Sequence, residues 1–173
     1  FGDLNVCVNV FGYSYKDPIL RSNAKVNDLI YISGTLGKGR KGLTDWQNNK
    51  KSEYILDFFR PKARFDIAEY ISNFASSCID VSDGLIKDLS SICKLSKVGA
   101  IIKFEDIPIT NDIKDLSYGD DYELCFTCGK EYEEILNAKG LKPIGKIVEG
   151  LNLELLKENK KVNYTKSGWD SFD

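Results

Sequence analysis

The chain has 173 residues and a formal net charge of −2, so it lacks the basic excess that a nucleic-acid-binding protein needs. Its 42% hydrophobic and 29% charged residues are ordinary for a soluble globular protein, and its length fits one domain with a sizeable core. No apolar run approaches the ~20 residues of a transmembrane helix, so we expect no membrane partner.

The first part of the chain predicts two strands followed by two helices. Residues 4–11 alternate apolar and polar side chains, which predicts a strand with one buried face. Residues 28–34 form a continuous apolar run, which predicts a strand buried on both faces. Four glycines follow with neither Walker A nor GxGxxG spacing, so we interpret the stretch 38–41 as a solvated loop. Residues 50–59 and 63–76 predict helices that a proline separates.

The second part of the chain predicts strands mixed with helices. The expected elements are strands over 98–104, 122–128 and 144–148, a helix over 131–139, and a hairpin over 151–164 that turns at Asn159. Strict alternation of strand and helix is absent. This order favours an α/β (α+β) fold, a mixed β-sheet packed with helices in a sandwich.

Between these two parts, residues 78–97 predict a strand, a tight turn and a helix. Ser82 and Asp83 are good N-cap residues at the start of the helix. The carboxylates of Asp80 and Asp83 would repel the phosphate that a helix N-terminus attracts, and a divalent cation would resolve this conflict. The pattern Asp-x-Ser-Asp-Gly therefore indicates a magnesium–nucleotide site. The alternative is a helix cap with a spare surface aspartate.

The five cysteines are too few and too scattered for a disulfide framework. Cys125 and Cys128 spell CxxC, but the chain has no histidine and no second pair of this kind, so zinc would lack ligands. The period of a strand also directs these two side chains to opposite faces. We therefore expect a buried strand in a reducing, cytoplasmic protein.

Several motifs occur in order along the chain. DVSDGL at 80–85 and GDDYELCFT at 119–127 resemble DISDGL and GEDYELLFT, two signature segments of thiamine-monophosphate kinases. Further matches are Phe1-Gly2-Asp3 to GGDT, 20–25 to LRSGAK, 32–37 to VSGTLG, Arg60-Pro61 with Arg64 to RPxPR, and 168–172 to G-[YW]-D-H-F. They cover nearly the whole chain but only the later part of the family's sequence. The resemblance implies an AIR synthase-related C-terminal domain over 1–173, without the family's N-terminal domain and inactive by itself.

The resemblance also implies an activity, the transfer of the γ-phosphoryl group of ATP to thiamine monophosphate with Mg²⁺ held by aspartates. It implies a homodimer in the complete enzyme. No residue is assigned a catalytic role beyond ligand binding. Carried over residue by residue, the family's roles are metal binding for Asp3, Asp80 and Asp83, ATP binding for Gly2, Arg21 and Ser82, and acceptor binding for Asp120 and Trp169.

Three positions depart from the family's pattern. Asp120 replaces a glutamate and so has a reach shorter by one methylene, Ser171 replaces the usual histidine, and Lys38 stands where aspartate is frequent. Two other functions stay open. One is a related ATP-using enzyme with a different acceptor, as in the wider superfamily of aminoimidazole ribonucleotide synthetase. The other is a nucleotide-binding module without turnover.

Individual residues also have structural interpretations. Arg21 could be a surface ion-pair partner, and Trp169 could anchor the C-terminus by packing. Asp121 and Glu123 are expected to cap or pair locally rather than to touch a ligand. Asp88, on the helix after the turn, is expected to be solvated.

Overall fold

Seven strands form one mixed sheet with helices on both faces in the computed structural model of the chain, which describes residues 4, 6–13, 16–164 and 167–170. The predicted α/β class, a mixed sheet packed with helices, is confirmed. In chain order the elements are β1 (Leu29–Ile32), α1 (Lys38–Gln47), α2 (Tyr54–Phe59), α3 (Phe65–Ile71), β2 (Ser77–Asp80), α4 (Leu85–Ser96), β3 (Gly99–Lys103), β4 (Leu124–Cys128), α5 (Glu133–Ala138), β5 (Gly145–Val148), β6 (Leu153–Lys157) and β7 (Lys160–Val162).

The strands lie in the order β2-β4-β1-β5-β3-β6-β7 across the sheet. Neighbouring strands are antiparallel except β3 and β6, which are parallel. Strands β6 and β7 form the predicted hairpin. Its turn residues Glu158 and Asn159 both have positive φ, 51° and 60°, as the two-residue turns that match the twist of the strands require.

The central strand β1 is buried on both faces, as its continuous apolar run predicts. Ile30 packs in one core with residues of α4, and Tyr31 packs in a second core with Ile71 of α3 and Leu136 of α5. Successive side chains of a strand point to opposite faces, so one short strand serves both cores. Helix α4 therefore covers one face of the sheet, and α3 and α5 cover the other.

The two cysteines of the CxxC pattern belong to different cores, as predicted. Cys125 packs against the α4 side and Cys128 against the opposite side of the sheet. Burial is the largest cause that raises the pKa of Cys128 to about 12. The strand is therefore structural, and the pair has no redox geometry. In the described ranges, no helix is both long and apolar enough to cross a membrane.

The prediction of a solvated loop over 38–41 is wrong, because helix α1 begins at Lys38. Its glycines are required by close packing rather than by a loop. A Cβ at Gly39 would lie 2.6 Å from the carbonyl oxygen of Asp120, and one at Gly42 would overlap the carbonyl oxygen of Tyr54. The helix can therefore approach its neighbours only where side chains are absent.

The strand predicted over 4–11 does not form in the described part of that stretch. Val6, Val8 and Val10 are 76%, 79% and 87% exposed, and no strand of the sheet lies beside them. An alternating pattern produces a stable strand only where a neighbour pairs its backbone and buries its apolar side. The two helices predicted over 50–59 and 63–76 are present but shorter, as α2 and α3.

Candidate functional site

Two of the motif segments meet at the end of strand β2. We call residues 81–84 the aspartate turn and residues 119–123 the GDDYE segment. The N–H of Asp120 donates to the carbonyl oxygen of Ser82 at 3.0 Å, and the N–H of Val81 donates to a carbonyl oxygen of the GDDYE segment at 2.7 Å. The pairing of β2 with β4 thus continues past the strand, and the two segments lie side by side.

The GDDYE segment adopts an unusual backbone to fit against the turn. Asp120 and Tyr122 have positive φ angles of 66° and 51°, a region that costs about 1–3 kcal/mol for residues other than glycine. A Cβ on Gly119 would overlap the carbonyl oxygen of Ser82. This backbone holds the side chains of Asp120 and Tyr122 beside the aspartate turn.

A carboxylate from within helix α4 closes the aspartate turn, and our prediction that Ser82 or Asp83 caps the helix is wrong. The N-cap is Gly84, without a side-chain bond. The N–H groups of Ser82, Asp83 and Gly84 all donate to Oδ2 of Asp88, at 3.0, 3.1 and 3.1 Å. Asp88 is buried rather than solvated, because these N–H groups need an acceptor where water is excluded. Burial is the main cause that raises the pKa of Asp88.

Residues 167–170 fold back onto the same turn. The N–H of Trp169 donates to the carbonyl oxygen of Asp83 at 2.8 Å. Lys87 Nζ lies 2.9 Å from Asp83 Oδ2 and also donates to the carbonyl oxygen of Trp169. Lys87 therefore contacts both the Asp83 side chain and the backbone that carries the Trp169 ring.

A cavity of about 380 Å³ beside the turn brings four predicted site residues together. They are Ser82, Asp83, Asp120 and Trp169, and they come from three segments that are distant in the sequence. Trp169 is 58% exposed, so its ring lies at the cavity and is not part of the core. The other lining residues are Leu43, Phe58, Ser117, Tyr118, Gly119 and Tyr122.

Two further predicted residues line a different groove, of about 740 Å³. Arg21 and Asp80 lie there together with apolar side chains such as Leu20 and Leu95. Among the described residues Arg21 forms no ion pair, so its interpretation as a surface ion-pair partner finds no support. Arg21 and Ser82, both predicted ATP contacts, thus line separate cavities.

Tyr122 lines the smaller cavity and was missed in the sequence analysis. Its hydroxyl donates to Asp120 Oδ1 at 3.4 Å. Burial raises the pKa of Tyr122, and the carboxylates of Asp120, Asp80 and Asp83 raise it further. The phenol thus interacts electrostatically with the three predicted site carboxylates that the structure describes. The signal for it was its position inside the GDDYELCFT motif.

The described residues of the site offer some of the oxygen ligands that a hard cation needs, but not a complete set. Asp80 and Asp83 offer carboxylate oxygens, the ligands that Mg²⁺ prefers. The ammonium of Lys87 already contacts Oδ2 of Asp83, so Mg²⁺ would have to displace it or bind the other carboxylate oxygen. Among the described residues, however, no three acidic, cysteine or histidine side chains cluster as a metal cage would require.

Asp121 caps a helix and Glu123 forms an ion pair, as predicted, although their partners are distant in the sequence. Asp121 accepts the N–H groups of Gly37 and Gly39 at 2.7 and 3.2 Å and so closes the N-terminus of α1. Burial is the main cause that raises the pKa of Asp121 to about 6. Glu123 accepts from the Ser33 hydroxyl and from Arg64, each at 2.5 Å. Both carboxylates therefore hold the framework of the site.

Two predicted site residues and one departure from the family's pattern lie outside the described residues. They are Gly2 and Asp3, assigned to ATP and metal, and Ser171, which replaces the family's histidine. Their predicted roles stay predictions.

Comparison with known proteins identifies similar kinases, although no family model matches the chain. A thiamine-monophosphate kinase of Buchnera aphidicola subsp. Schizaphis graminum is 36% identical over 199 residues, covering 99% of this chain and 61% of that protein. The crystal structure of thiamine-monophosphate kinase from Stenotrophomonas maltophilia K279a matches with a TM-score of 0.74 and 28% identity, covering 83% of this chain and 54% of the other. AaThiL complexed with AMPPCP and TMP matches with a TM-score of 0.73 and 29% identity, covering 87% and 53%.

The resemblance predicted from the motifs is therefore confirmed over nearly the whole chain. The chain spans 61% of the length of the Buchnera relative.

Proposed function

From the similarity of this chain to thiamine-monophosphate kinases over 99% of its length, we propose that residues 1–173 form the C-terminal domain of such a kinase. The enzyme breaks the bond between the β- and γ-phosphoryl groups of ATP and transfers the γ-phosphoryl group to a phosphate oxygen of thiamine monophosphate. The products are thiamine diphosphate and ADP. Because the chain covers only part of its relatives, the proposal concerns the full-length protein that contains it.

One observation carries the proposal. The side chains of Ser82, Asp83, Asp120 and Trp169 line one cavity although three distant segments supply them. These are the positions that match the family's ATP, metal and acceptor residues. The similar AaThiL was solved as a complex with AMPPCP and TMP, which supports ATP and thiamine monophosphate as the substrates.

On the acceptor side, Trp169 and Asp120 bind thiamine monophosphate. The exposed Trp169 ring offers a face on which the cationic thiazolium can stack. The strained backbone at Asp120 orients its side chain, and its carboxylate accepts a hydrogen bond from the hydroxyl of Tyr122. Because the side chain of Asp120 is shorter than that of a glutamate, the acceptor must lie closer to the GDDYE segment to reach it.

On the nucleotide side, Arg21, Ser82 and Gly2 bind ATP. A guanidinium presents a planar set of donors that fits phosphate oxygens, and Arg21 is exposed in the larger groove. Ser82 lines the smaller cavity together with the proposed acceptor residues Asp120 and Trp169. The γ-phosphoryl group would therefore pass from donor to acceptor beside the aspartate turn.

Asp80, Asp83 and Asp3 would hold Mg²⁺. The ion would neutralise the charge that accumulates when two phosphate groups meet. Asp83 orients its carboxylate through the contact with Lys87, and Asp80 extends from the end of β2. The further carboxylates that a complete cage needs come from the rest of the full-length protein.

Two properties of the full-length enzyme complete the proposal. We expect it to be a homodimer, as the family resemblance implies. We also expect it in the cytoplasm, which the free state of all five cysteines supports.

The test is an assay of the full-length protein with ATP, Mg²⁺ and thiamine monophosphate. Thiamine diphosphate and ADP should form in equal amounts, measured by chromatography, and both should be lost when Mg²⁺ is removed with EDTA. Turnover of a different acceptor in a panel of phosphate and carboxylate compounds would instead support a related ATP-using enzyme. Binding of ATP with no turnover of any acceptor would support a nucleotide-binding module and overturn the kinase.

A further inference from the structure

The aspartate turn presents three backbone N–H groups to one point, and the chain itself supplies the anion there. The N–H groups of Ser82, Asp83 and Gly84 converge on the single oxygen Oδ2 of Asp88 within 3.1 Å. Successive N–H groups at a turn before a helix usually form a concavity that binds phosphate or another anion. Here a buried side chain occupies that concavity.

The described part of the chain places no cationic side chain in an ion pair with the Asp88 carboxylate. Lys87 contacts Asp83 instead. The negative charge is stabilised by the three N–H dipoles and by the N-terminus of α4, which begins at Leu85. As long as these N–H groups donate to Asp88, none of them can donate to an incoming phosphate.

The outward side of this turn carries carboxylates, which repel phosphate. Asp83 lines the smaller cavity, and Asp80, the residue just before the turn, lines the larger groove. A phosphate that approaches the turn therefore meets carboxylates and no unpaired N–H group of residues 82–84. Only a cation between phosphate and carboxylate makes that contact favourable.

We propose that Asp88 is the positioning residue of this site: it occupies the anion concavity of the aspartate turn, fixes the orientation of Ser82 and Asp83, and restricts the turn to polyphosphates that arrive with a divalent cation. The inference deepens the proposed function and rests on it for the identity of the nucleotide. Its geometric part, that Asp88 closes the turn against phosphate, stands without any catalytic activity.

The first experiment measures amide hydrogen exchange by NMR in this chain without ligand. In Asp88→Ala, the amides of Ser82, Asp83 and Gly84 should exchange at least about ten-fold faster than in the wild type, because their acceptor is gone. In Asp88→Asn they should stay within about three-fold, because the amide oxygen can take the place of Oδ2. Asp45→Asn is the matched control, a buried carboxylate on α1 that pairs with Lys41.

Amides that exchange equally fast in the wild type and in Asp88→Ala would overturn the closing role. Inorganic phosphate without metal is the second probe. In the wild type it should leave the chemical shifts of these three amides unchanged. A phosphate-dependent shift of all three would mean that the concavity is open and would also overturn the proposal.

The third measurement is binding of AMPPCP to the full-length protein with Mg²⁺ and with EDTA. We expect binding only with Mg²⁺, about ten-fold weaker for Asp88→Ala and within about three-fold of the wild type for Asp88→Asn. A purely structural role would weaken neither variant once both are folded. Loss of binding in Asp88→Asn with its amides still protected would contradict positioning, since the charge would then matter instead. If the wild type also fails to bind, the proposed function fails, and the exchange and phosphate results alone decide the role of Asp88.

Discussion

The carboxylate of Asp83 is the side chain on which the proposed chemistry depends most directly. In the full-length enzyme, Asp83→Asn should lower kcat by about 100-fold and change KM for thiamine monophosphate little. The substitution keeps the shape and removes the charge that holds the cation against the phosphates, which acts mainly in the transition state. Steady-state kinetics with both substrates measure this.

The matched control is Glu154→Gln on the hairpin. Glu154 pairs with Lys161 at 2.7 Å and is 36% exposed, close to the 2.9 Å and 38% of Asp83 with Lys87. It should leave kcat unchanged. An unchanged kcat in Asp83→Asn together with a raised acceptor KM would remove Asp83 from the metal-binding role.

The ring of Trp169 is exposed while its backbone is held by the aspartate turn. Trp169→Ala should therefore raise KM for thiamine monophosphate by about five- to thirty-fold, the equivalent of a cation–π contact of about 1–2 kcal/mol. KM for ATP and the melting temperature should change little, because the bond from the Trp169 N–H to Asp83 remains. Trp169→Tyr should retain most of the acceptor affinity.

Trp46 offers a control of similar size and exposure, 53% against 58%, outside the cavity. Trp46→Ala should leave both KM values as they are. If Trp169→Ala lowers the melting temperature and leaves the acceptor KM unchanged, the ring is a packing anchor and not a substrate contact.

Tyr31 carries a buried hydroxyl that makes no hydrogen bond to any described group. Its ring stacks on Phe126 at 5.3 Å between centroids. Tyr31→Phe keeps this stacking and removes the unsatisfied polar group, so we expect the free energy of unfolding to rise by about 1 kcal/mol. Chemical denaturation measures it, with Tyr132→Phe, whose ring is only half-buried, as the control near zero. A loss of stability in Tyr31→Phe would mean that the hydroxyl has a partner, such as a buried water.

At the scale of elements, the N-terminus of α1 depends on Asp121. The pKa of Asp121 is raised to about 6, so the folded protein holds the proton more tightly than the unfolded chain, where aspartate titrates near 3.9. The stability from this proton is complete below about pH 4 and is lost as the pH rises through about 6. Asp121→Asn stays neutral, so relative to the wild type it should gain up to about 3 kcal/mol between pH 4 and pH 7.

Chemical denaturation of both proteins at several pH values measures their free energies of unfolding. A difference between the two that does not change with pH would contradict this prediction. Asp66 is a control of opposite sign. Its hydrogen bond with Arg64 lowers the pKa of Asp66, so the stability from its charge is lost as the pH falls. The difference between Asp66→Asn and the wild type should therefore change in the other direction.

Strands and helices with strong periodicity were predictable, and elements set by tertiary contacts were not. The run that forms β1 and the hairpin at Asn159 follow from local pattern and turn chemistry. Helix α1 does not follow from local pattern, because Gly39 and Gly42 lower the helix propensity of this segment. These glycines are explained only by the backbone groups that pack against them. The alternating pattern at 4–11 predicts a strand, but none of the described strands pairs with it.

The candidate site was predictable from motifs and only weakly from chemistry. The Asp-x-Ser-Asp-Gly pattern indicated a cation site by its charges, whereas Asp120 and Trp169 followed from family resemblance alone. The role of Asp88 was out of reach, because local propensity favours Ser82 or Asp83 as the cap. Three N–H groups can share one acceptor only in a folded turn, and no spacing in the sequence encodes that.

At the scale of the whole molecule, the metal ligands are incomplete within the described residues. Asp80 and Asp83 line different cavities, and no cluster of three ligands occurs there. Since Mg²⁺ gives up its water reluctantly, we expect this chain to bind Mg²⁺ only together with nucleotide. Calorimetry with Mg²⁺ alone should show no binding, and calorimetry with Mg-ATP should show binding that Asp80→Asn weakens. Tight binding of Mg²⁺ alone would contradict this.

The contact between helix α4 and residues 167–170 has a consequence for biosynthesis. Lys87 and Trp169 are separated by 82 residues. At about 5–20 residues per second, a ribosome needs roughly 4–16 s to deliver the second partner after the first. During this interval the nascent chain can fold α4 and the aspartate turn, while the cavity still lacks its aromatic wall. The proposed acceptor site is thus completed only when residues 167–170 have been added, and a premature stop shortly before Trp169 would remove the aromatic wall of the cavity.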